Sequence, residues 1–366
     1  MSIRTEELEI SMGPQHPSTH GVLRVILTLD GEVVVDAIPD IGYLHRGIEK
    51  LAEMRTYIQF IPLTDRTDYL ASMMGNAVYV GAIEKLMGTE ISERVEFIRI
   101  IMMELQRIAS HLVFVGTYGL DLGATTPFIY CFREREDILD LFEMACGARL
   151  TYNYFRPGGV SRELPEGFFA KTKQFITTLR KRMPEYDDLL TGNEIFLLRT
   201  RGIGYLSAQD AIDYGMSGPS LRGSDVAYDV RRTDPYSLYS RLEFDVATES
   251  TCDCLGRYLV RTAEMRQSLK MIEQALDMMP EGKEKARTPL VLKPPAGEVY
   301  HHIESARGDL GVYLVSDGSP KPYRLHWRAP SFINLTALRQ MVHGLKVADV
   351  VATLGSLDVV LGEVDR

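Results

Sequence analysis

The residues best suited to chemistry lie in a proline-rich loop near the start of the chain. Residues 13–21 read Gly-Pro-Gln-His-Pro-Ser-Thr-His-Gly. The two prolines fix the backbone φ and the two glycines permit tight turns, so His16 and His20 are held on a defined, non-helical loop. Because histidine exchanges protons near neutral pH, the loop is either a structural turn with hydrogen-bonded histidines or a proton donor at the rim of a cavity. Pro17 disfavours the helix that a metal site at i and i+4 needs.

Two further segments mix acids, bases and aromatic hydroxyls. Residues 41–50 read IGYLHRGIEK, and residues 65–69 read DRTDY. Taken alone, each is equally well explained as a solvated helix start whose ion pairs contribute little. In residues 120–124, Asp121 lies between apolar neighbours, where a buried carboxylate needs a partner such as a histidine.

The usual enzyme motifs are absent from the sequence. It contains no GxxxxGK[ST], GxSxG or HExxH pattern, and in the nearest dinucleotide pattern, at residues 202–207, Ser207 stands in the place of the last glycine. The cysteines form no CxxC pair and have no zinc-type spacing to a histidine, which predicts reduced thiols. They are Cys131, Cys146, Cys252 and Cys254.

Composition indicates a globular protein with a sizeable core. The chain has 366 residues, 45% of them hydrophobic, and 41 Lys+Arg against 50 Asp+Glu give a net charge of −9. The net charge is negative and there is no long run of consecutive basic residues. We therefore do not expect this chain to bind nucleic acid or an anionic membrane surface directly. The apolar stretches are too short or too interrupted for a transmembrane helix, and residues 1–10 do not form a signal peptide. We therefore expect a cytoplasmic chain.

The hydrophobic pattern predicts a mainly α fold with small β elements (α+β). Strands are predicted at 22–29 and 32–38, joined by an Asp30-Gly31 turn, and again at 299–305, 311–316 and 323–328. Long helices are predicted at 57–86, 93–117, 127–154, 165–190 and 253–279, with shorter elements wrapping them at 192–239. We divide the chain into an N-terminal β subdomain (1–45), a helical bundle (46–280), and a C-terminal meander with a tail (281–366).

Eight blocks, in order along the chain, carry a resemblance to a known family. The chain resembles the D subunits of NADH:quinone oxidoreductase, respiratory complex I. The blocks are GPQHPSTHG (13–21), IGYLHRGIEK (41–50), DRTDYL (65–70), LDLGATTPF (120–128), RPGGV (156–160), SARGDLGVYLVSDG (305–318), RAPSF (328–332) and GEVDR (362–366).

The resemblance implies a fold similar to the large subunit of nickel–iron hydrogenases, but without the metal. Hydrogenases hold nickel with two cysteine pairs, whereas Val360 and Glu363 stand here where the terminal thiolates would be. By resemblance, the vacated cavity accepts a quinone headgroup. A hydrogenase-like metalloenzyme is the competing class, which nickel analysis would reveal.

The resemblance also assigns roles to individual residues. His20 and Tyr69 are the groups that protonate the quinone, and Asp121 hydrogen-bonds His20. Arg46 and Arg66 face the terminal tetranuclear iron–sulfur cluster of the neighbouring B subunit, where their positive charge raises its potential. These residues are far apart in sequence, so their spatial grouping depends on the family.

The expected setting is a proton-translocating complex whose NAD(H) site lies in another subunit. This chain ligates no metal and no iron–sulfur cluster. Its partners are the B subunit, the C subunit and the membrane-arm subunit at the quinone entrance, which places it peripherally on the cytoplasmic face of the cell membrane. Related complexes fed by reduced F420 or ferredoxin have similar D-type subunits, so the electron input stays open, and the isolated chain is expected to be inactive.

One departure from the family bears on the quinone. Many members have a histidine five residues before the arginine of the RxGG motif, where this chain has Thr151 before Arg156. Loss of that chargeable group predicts a lower cluster potential with a weaker pH dependence, which suits a low-potential quinone such as menaquinone. A second departure, Val359 where relatives have proline, is expected to change only the rigidity of the tail.

Overall fold

The computed structural model describes residues 7–14, 21–284, 289 and 291–366. Long helices form the centre of the molecule, and small antiparallel sheets lie near both ends of the chain. The predicted α+β fold class is thus confirmed. The histidine-bearing residues 15–20, including His16 and His20, lie outside the described part of the chain.

The first sheet is a three-stranded antiparallel meander. Its strands are β1 (Glu7–Met12), β2 (Arg24–Asp30) and β3 (Val33–Asp40). The predicted hairpin is confirmed, because Gly31 adopts a φ of 63°, which a tight turn requires and glycine tolerates. Val25, Leu27 and Leu29 alternate inward along β2, so one face of this sheet is buried.

The helix predicted at 57–86 is in fact two helices. After α1 (Ile48–Met54), α2 runs from Tyr57 to Thr64 and α3 from Ser72 to Met87. The prediction was wrong at 65–71, because side chains in this interval hydrogen-bond to nearby backbone groups and so compete with the helix. Gly75 lets the two helices meet closely, since a Cβ there would lie 2.4 Å from the carbonyl oxygen of Thr64.

The longest helix, α4 (Glu93–Asp121), lies at the centre of the main core. It packs against α5 (Thr125–Cys146) and a later long helix. The prediction that the third helix reaches 154 was wrong. The helix ends at Cys146 because Gly147, with a φ of 78°, forms a left-handed cap.

Residues 155–278 add short elements and two more long helices. The helix predicted at 165–190 ends at Tyr186 and continues as a π turn. The shorter elements predicted for 192–239 are present. In order, the elements are β4 (Phe155–Arg156), β5 (Gly159–Val160), α6 (Phe168–Tyr186), the π turn (Asp187–Thr191), α7 (Glu194–Thr200), α8 (Ala208–Asp213), α9 (Gly218–Arg222), α10 (Val230–Thr233), a 3₁₀ turn (Tyr239–Arg241) and α11 (Cys254–Met278).

The C-terminal part begins with the predicted meander and ends in four helices. Its strands pair in the order β6-β7-β8, antiparallel throughout. The elements are β6 (Gly297–Glu304), β7 (Asp309–Ser316), β8 (Arg324–Arg328), α12 (Pro330–Leu335), α13 (Leu338–Val342), α14 (Val347–Leu357) and α15 (Leu361–Asp365).

The two ends of the chain share a second hydrophobic core. Val25 and Leu27 of the first sheet belong to the same buried cluster as Leu338 and Leu354 of the C-terminal helices. A backbone hydrogen bond of 2.8 Å from Val34 to the carbonyl of Leu345 joins the two regions. The division at 45 and 280 stays a prediction. None of the helices formed by the described residues combines the length and the apolar character needed to cross a bilayer.

Candidate functional site

The segment between α2 and α3 is a bend fixed by its own side chains. The Thr67 hydroxyl donates to the carbonyl of Thr64 at 2.8 Å, and the Ser72 hydroxyl donates to that of Asp65 at 2.9 Å. The carboxylate of Asp68 accepts from the backbone N–H groups of Leu70 and Ala71, both at 3.1 Å. These bonds hold Tyr69 at a defined position between two helices. The Thr, Asp and Ser residues of 64–72 were the sequence signal for this bend.

Tyr69 is a half-buried phenol next to buried charges. Burial raises the pKa of Tyr69, the negative charges of Asp68 and Asp358 raise it further, and the positive charge of Arg307 lowers it. A phenol with a raised pKa stays protonated at neutral pH. Tyr69 can therefore donate a hydrogen bond, and it releases its proton only when a strong base forms beside it.

Arg46 and Arg66 lie together on an exposed face of the molecule. The Arg46 guanidinium donates to the backbone carbonyl of Arg66 at 2.6 Å, and that of Arg66 donates to the carbonyl of Pro62. Partial burial and the neighbouring positive charge of Arg66 lower the pKa of Arg46. The structure thus brings these two predicted residues together, and their role toward a cluster stays a prediction.

Asp121 is the last residue of α4 and lies beside α14. A Cβ on Gly355 of α14 would be 3.3 Å from an Asp121 carboxylate oxygen and 3.0 Å from the Tyr118 ring. The missing side chain at Gly355 therefore makes room for the carboxylate. The hydrogen bond predicted between Asp121 and His20 stays a prediction, because His20 is not among the described residues.

The end of the chain, α15 and Arg366, adjoins several segments of the predicted site. A Cβ on Gly21 would lie 3.9 Å from Leu361, so the end of the histidine loop adjoins α15. Gly362 packs against the bend, since a Cβ there would be 2.6 Å from the Thr67 carbonyl oxygen. The backbone N–H groups of Arg46 and Gly47 both donate to the Arg366 carbonyl at 3.2 Å. The tail thus adjoins three of the segments that carry the predicted site residues.

A group of carboxyls around the buried Arg307 was missed by the sequence analysis. Arg307 is 1% exposed and its guanidinium lies 3.3 Å from carboxylate oxygens of both Asp68 and Asp358. Glu363 is fully buried nearby, and burial together with the Asp68 charge raises its pKa to about 8. The signal was present, because Asp68, Arg307 and Glu363 belong to three of the eight blocks.

Asp65 is a second buried acid that sequence reasoning missed. It is 0% exposed and accepts a 3.0 Å hydrogen bond from the backbone N–H of Asn153. Burial raises its pKa to about 7, against the opposing effects of the Asn153 hydrogen bond and the Arg66 and Arg156 charges. A titratable carboxyl therefore lies beside the predicted cluster-facing surface, bonded to the loop that carries Thr151.

Among the described residues, no group of three or more His, Cys, Asp or Glu side chains is arranged to hold a metal ion. All four cysteines are free thiols. Burial raises the pKa of the Cys131 thiol to about 12 and that of Cys146 to about 11. These two thiols stay protonated at neutral pH, which makes them poor metal ligands and poor nucleophiles.

Comparison with known proteins gives full-length relatives. A sequence profile of the family described as the respiratory-chain NADH dehydrogenase 49 kDa subunit matches residues 121–294 and 288–366. The chain is 57% identical over 365 residues to the D subunit of NADH-quinone oxidoreductase from Desulforamulus reducens, with 100% of both chains covered. The proteins of the same name are 53% identical in Clostridium beijerinckii (100% of this chain, 98% of the relative) and 52% identical in Geobacillus kaustophilus (100% of both). This chain therefore belongs to the family of the 49 kDa subunit of respiratory-chain NADH dehydrogenase.

Proposed function

We propose that this chain is part of a proton-translocating NADH:quinone oxidoreductase and forms the site where the quinone headgroup is reduced. The observation that carries the proposal is the end-to-end identity of 57% with a protein named as the D subunit of NADH-quinone oxidoreductase. Its position in the complex would be peripheral, on the cytoplasmic face of the membrane. Its neighbours there would be the iron–sulfur B subunit, the C subunit and a membrane-arm subunit at the quinone entrance.

Reduction of a quinone to a quinol takes two electrons and two protons. The electrons would come from the terminal cluster of the B subunit, and NAD(H) would be oxidised elsewhere in the complex. The protons would come from Tyr69 and His20, with Asp121 orienting His20 and stabilising its charged form. The raised pKa of Tyr69 supports its role, because the phenol is protonated before reaction and gives up its proton as charge develops on the quinone oxygen.

The exposed pair of Arg46 and Arg66 supports a contact with the cluster of the B subunit. The Arg46 guanidinium bonds to the backbone of Arg66, and both side chains carry permanent positive charge. Positive charge beside a cluster favours its reduced state and raises its potential. The expected surface of contact is therefore the face that carries residues 41–47, just before α1, and the bend, just after α2.

Two substitutions at this face should change the cluster potential in different ways. Arg66→Gln removes a permanent charge and should lower the midpoint potential by a similar amount at every pH. Thr151→His introduces a titratable charge, so it should raise the potential at low pH and add a slope of up to about 59 mV per pH unit. Redox titration of the assembled complex, followed by electron paramagnetic resonance, measures both.

Arg180→Gln is the matched control, because Arg180 is exposed on α6 and pairs with Glu273. Equal shifts in the Arg66 and Arg180 variants would show that Arg66 does not face the cluster. The wild-type titration bears on the quinone: a low, weakly pH-dependent potential supports menaquinone, and a high, steep one contradicts it. Asp65, buried beside this face with a pKa of about 7, adds to the pH slope, so the level of the potential is the stronger criterion of the two.

A photoreactive quinone analogue tests where the headgroup binds. Bound to the assembled complex, it should label this chain within 65–70 and within 355–363, where the bend and the tail meet. Excess quinone should displace the label, which peptide mass spectrometry would locate. Labelling confined to other subunits, or labelling that quinone does not reduce, would contradict the proposal.

A further inference from the structure

Three carboxyl groups from separate parts of the chain meet around one buried guanidinium. Asp68 comes from the bend before α3, Asp358 ends α14, and Glu363 lies in α15, while Arg307 lies in the turn between β6 and β7. The guanidinium is 3.3 Å from one oxygen of Asp68 and 3.3 Å from one oxygen of Asp358. Asp68 and Glu363 are 2% and 0% exposed. We call Asp68, Asp358 and Glu363 the carboxyl cluster.

The carboxyl cluster has three carboxyl groups, but in the described part of the chain only two neighbouring guanidinium groups balance their charge. Arg307 is the first cation, and Arg261 of α11 is the second, with its Nε 3.7 Å from Asp358. Tyr69 and Asp121 are also ionisable, the latter beside Gly355 on α14, and Arg257 and Glu264 act on Arg261 with opposite signs. From α12, Ser331 donates its backbone N–H to Glu363, and its hydroxyl also lowers the pKa of that carboxyl. Two guanidiniums against three carboxyls leave one carboxyl without a counter-charge, and buried like charges this close do not all ionise.

Each member of the carboxyl cluster also has one oxygen that accepts no hydrogen bond from the described residues. These atoms are Oδ2 of Asp68, Oδ2 of Asp358 and Oε2 of Glu363. The first two still face guanidiniums, since Oδ2 of Asp68 lies 3.3 Å from Arg307 and Oδ2 of Asp358 lies 3.7 Å from Arg261. Glu363 is therefore the member that has no ion pair with a cation among the described residues. A buried acceptor without a donor is costly for a carboxylate but is satisfied when the carboxyl carries a proton or shares one. Burial and the charge of Asp68 raise the pKa of Glu363 to about 8. Charge count and hydrogen bonding thus agree on one proton at neutral pH.

The carboxyl cluster acts electrostatically on Tyr69. Asp68 is the neighbouring residue in the chain, and the charges of Asp68, Arg307 and Asp358 all act on the Tyr69 phenol. Tyr69 is half-buried, so part of its ring is open to the proposed quinone site. Its buried charged neighbours belong to the carboxyl cluster, which holds one proton.

We propose that Asp68, Asp358 and Glu363 share one exchangeable proton and return it to Tyr69 after each donation to the quinone. This inference rests on the proposed function. In the first step the phenolic O–H bond breaks and an O–H bond forms on the quinone, whose two electrons come from the iron–sulfur donor of the partner subunit. A carboxyl O–H bond then breaks and the phenol is restored. The carboxyl cluster is left with one more negative charge beside Arg307 until water supplies a proton.

Glu363→Gln in the assembled complex is the sharpest test. Glutamine is isosteric, and its amide oxygen can still accept the 3.0 Å hydrogen bond from the backbone N–H of Ser331. The amide does not ionise, so it has no acid proton to release, and the two remaining carboxylates are then balanced by Arg307 and Arg261. Quinone-reductase turnover should fall at least tenfold, with a larger solvent deuterium isotope effect. Wild-type turnover should decline at alkaline pH, and this decline should be replaced in the variant by a low, flat rate.

Glu304→Gln is the matched control. Glu304 is also a buried carboxyl with a raised pKa, about 7, but both its oxygens are bonded, to Arg222 at 2.8 Å and to the backbone N–H of Val230 at 3.1 Å. It should retain the wild-type pH profile and isotope effect. Should Glu363→Gln fail to assemble, Asp358→Asn gives the same readouts, because asparagine tolerates the φ of 55° at this position.

The outcomes separate this inference from the function on which it rests. Suppose that the assembled Glu363→Gln or Asp358→Asn complex keeps the wild-type pH profile and isotope effect, while the Tyr69→Phe complex is slow. That result overturns the proton store and leaves the proposed role of Tyr69 intact. Normal turnover in Tyr69→Phe overturns the assignment of Tyr69, and the proton store with it. A slow, flat profile in the carboxyl variants but not in Glu304→Gln, with iron–sulfur reduction unchanged, supports the proposal.

Discussion

Replacing Tyr69 by phenylalanine should lower quinone-reductase turnover of the assembled complex by about 10²-fold or more, because a positioned general acid contributes that much. The substitution removes only the hydroxyl, so the packing of the half-buried ring is kept. Burial and the charges of Asp68 and Asp358 raise the pKa of this phenol, so the proton is present at neutral pH. Iron–sulfur reduction by the physiological donor should be unchanged.

The companion variant His20→Ala should also slow turnover, by removing the second proton donor that the family resemblance assigns. Tyr313→Phe is a matched control, because its hydroxyl donates to Glu298 on the surface sheet at 2.6 Å, away from the bend. Turnover and iron–sulfur reduction are measured in the same preparation. Normal turnover in fully assembled Tyr69→Phe and His20→Ala complexes would give this chain a scaffold role instead.

Replacing Arg222 by methionine should cost about 3–5 kcal/mol of unfolding free energy, because it leaves buried carboxylates without their counter-charge. Arg222 is 0% exposed and joins three elements. Its guanidinium donates to Glu304 at 2.8 Å and, through Nε, to Glu264 at 3.1 Å, and it lies 3.6 Å from Asp229. Chemical denaturation of the full chain measures the loss.

The loss should depend on pH with a definite sign. Burial opposes ionisation of Glu264 and Asp229, but nearby positive charges, including Arg222, outweigh it and lower both pKa values, that of Asp229 to about 2. A lowered carboxyl pKa stabilises the folded state above the unfolded pKa and loses that contribution as the pH falls through the folded value. The difference between wild type and Arg222→Met should therefore be largest above about pH 5 and shrink toward pH 3.

Arg149→Met is the control for this experiment. Arg149 also pairs with three carboxylates, Glu136, Asp140 and Glu143, but on the surface, where its side chain is 39% exposed. Water solvates these charges after the substitution, so the unfolding midpoint should hardly change. Equal losses in the two variants would show that burial of the Arg222 network is not what makes it stabilising.

Local sequence patterns predicted most of the secondary structure. The Asp30-Gly31 turn, the strands on either side of it and the long helix from Glu93 could be read directly, because hydrophobic period and turn chemistry act between neighbours in the chain. The same reading joined 57–64 to 72–87, since the apolar period continues through the bend. Hydrogen bonds made by the side chains of Thr67, Asp68 and Ser72 end the helix there. Their contribution to stability depends on the tertiary packing around the bend.

The residues that resemble a family could be named from sequence, but their grouping could not. His20, Tyr69 and Asp121 are motif members whose spacing along the chain says nothing of their distance in space. The C-terminal helices pack against the segments that carry Tyr69 and Asp121, with Gly355 leaving room for Asp121 and Gly362 packing against the bend.

The sequence by itself thus determined the α+β class, the main elements and the family, because these depend on local patterns and on motif order. Only the tertiary structure decided that Asp68, Asp358 and Glu363 surround Arg307, and that Asp65 is buried with a pKa of about 7. The physical reason is that the charge state of a carboxyl depends on burial and on neighbours from distant segments. Those neighbours meet only when the end of the chain packs against its beginning.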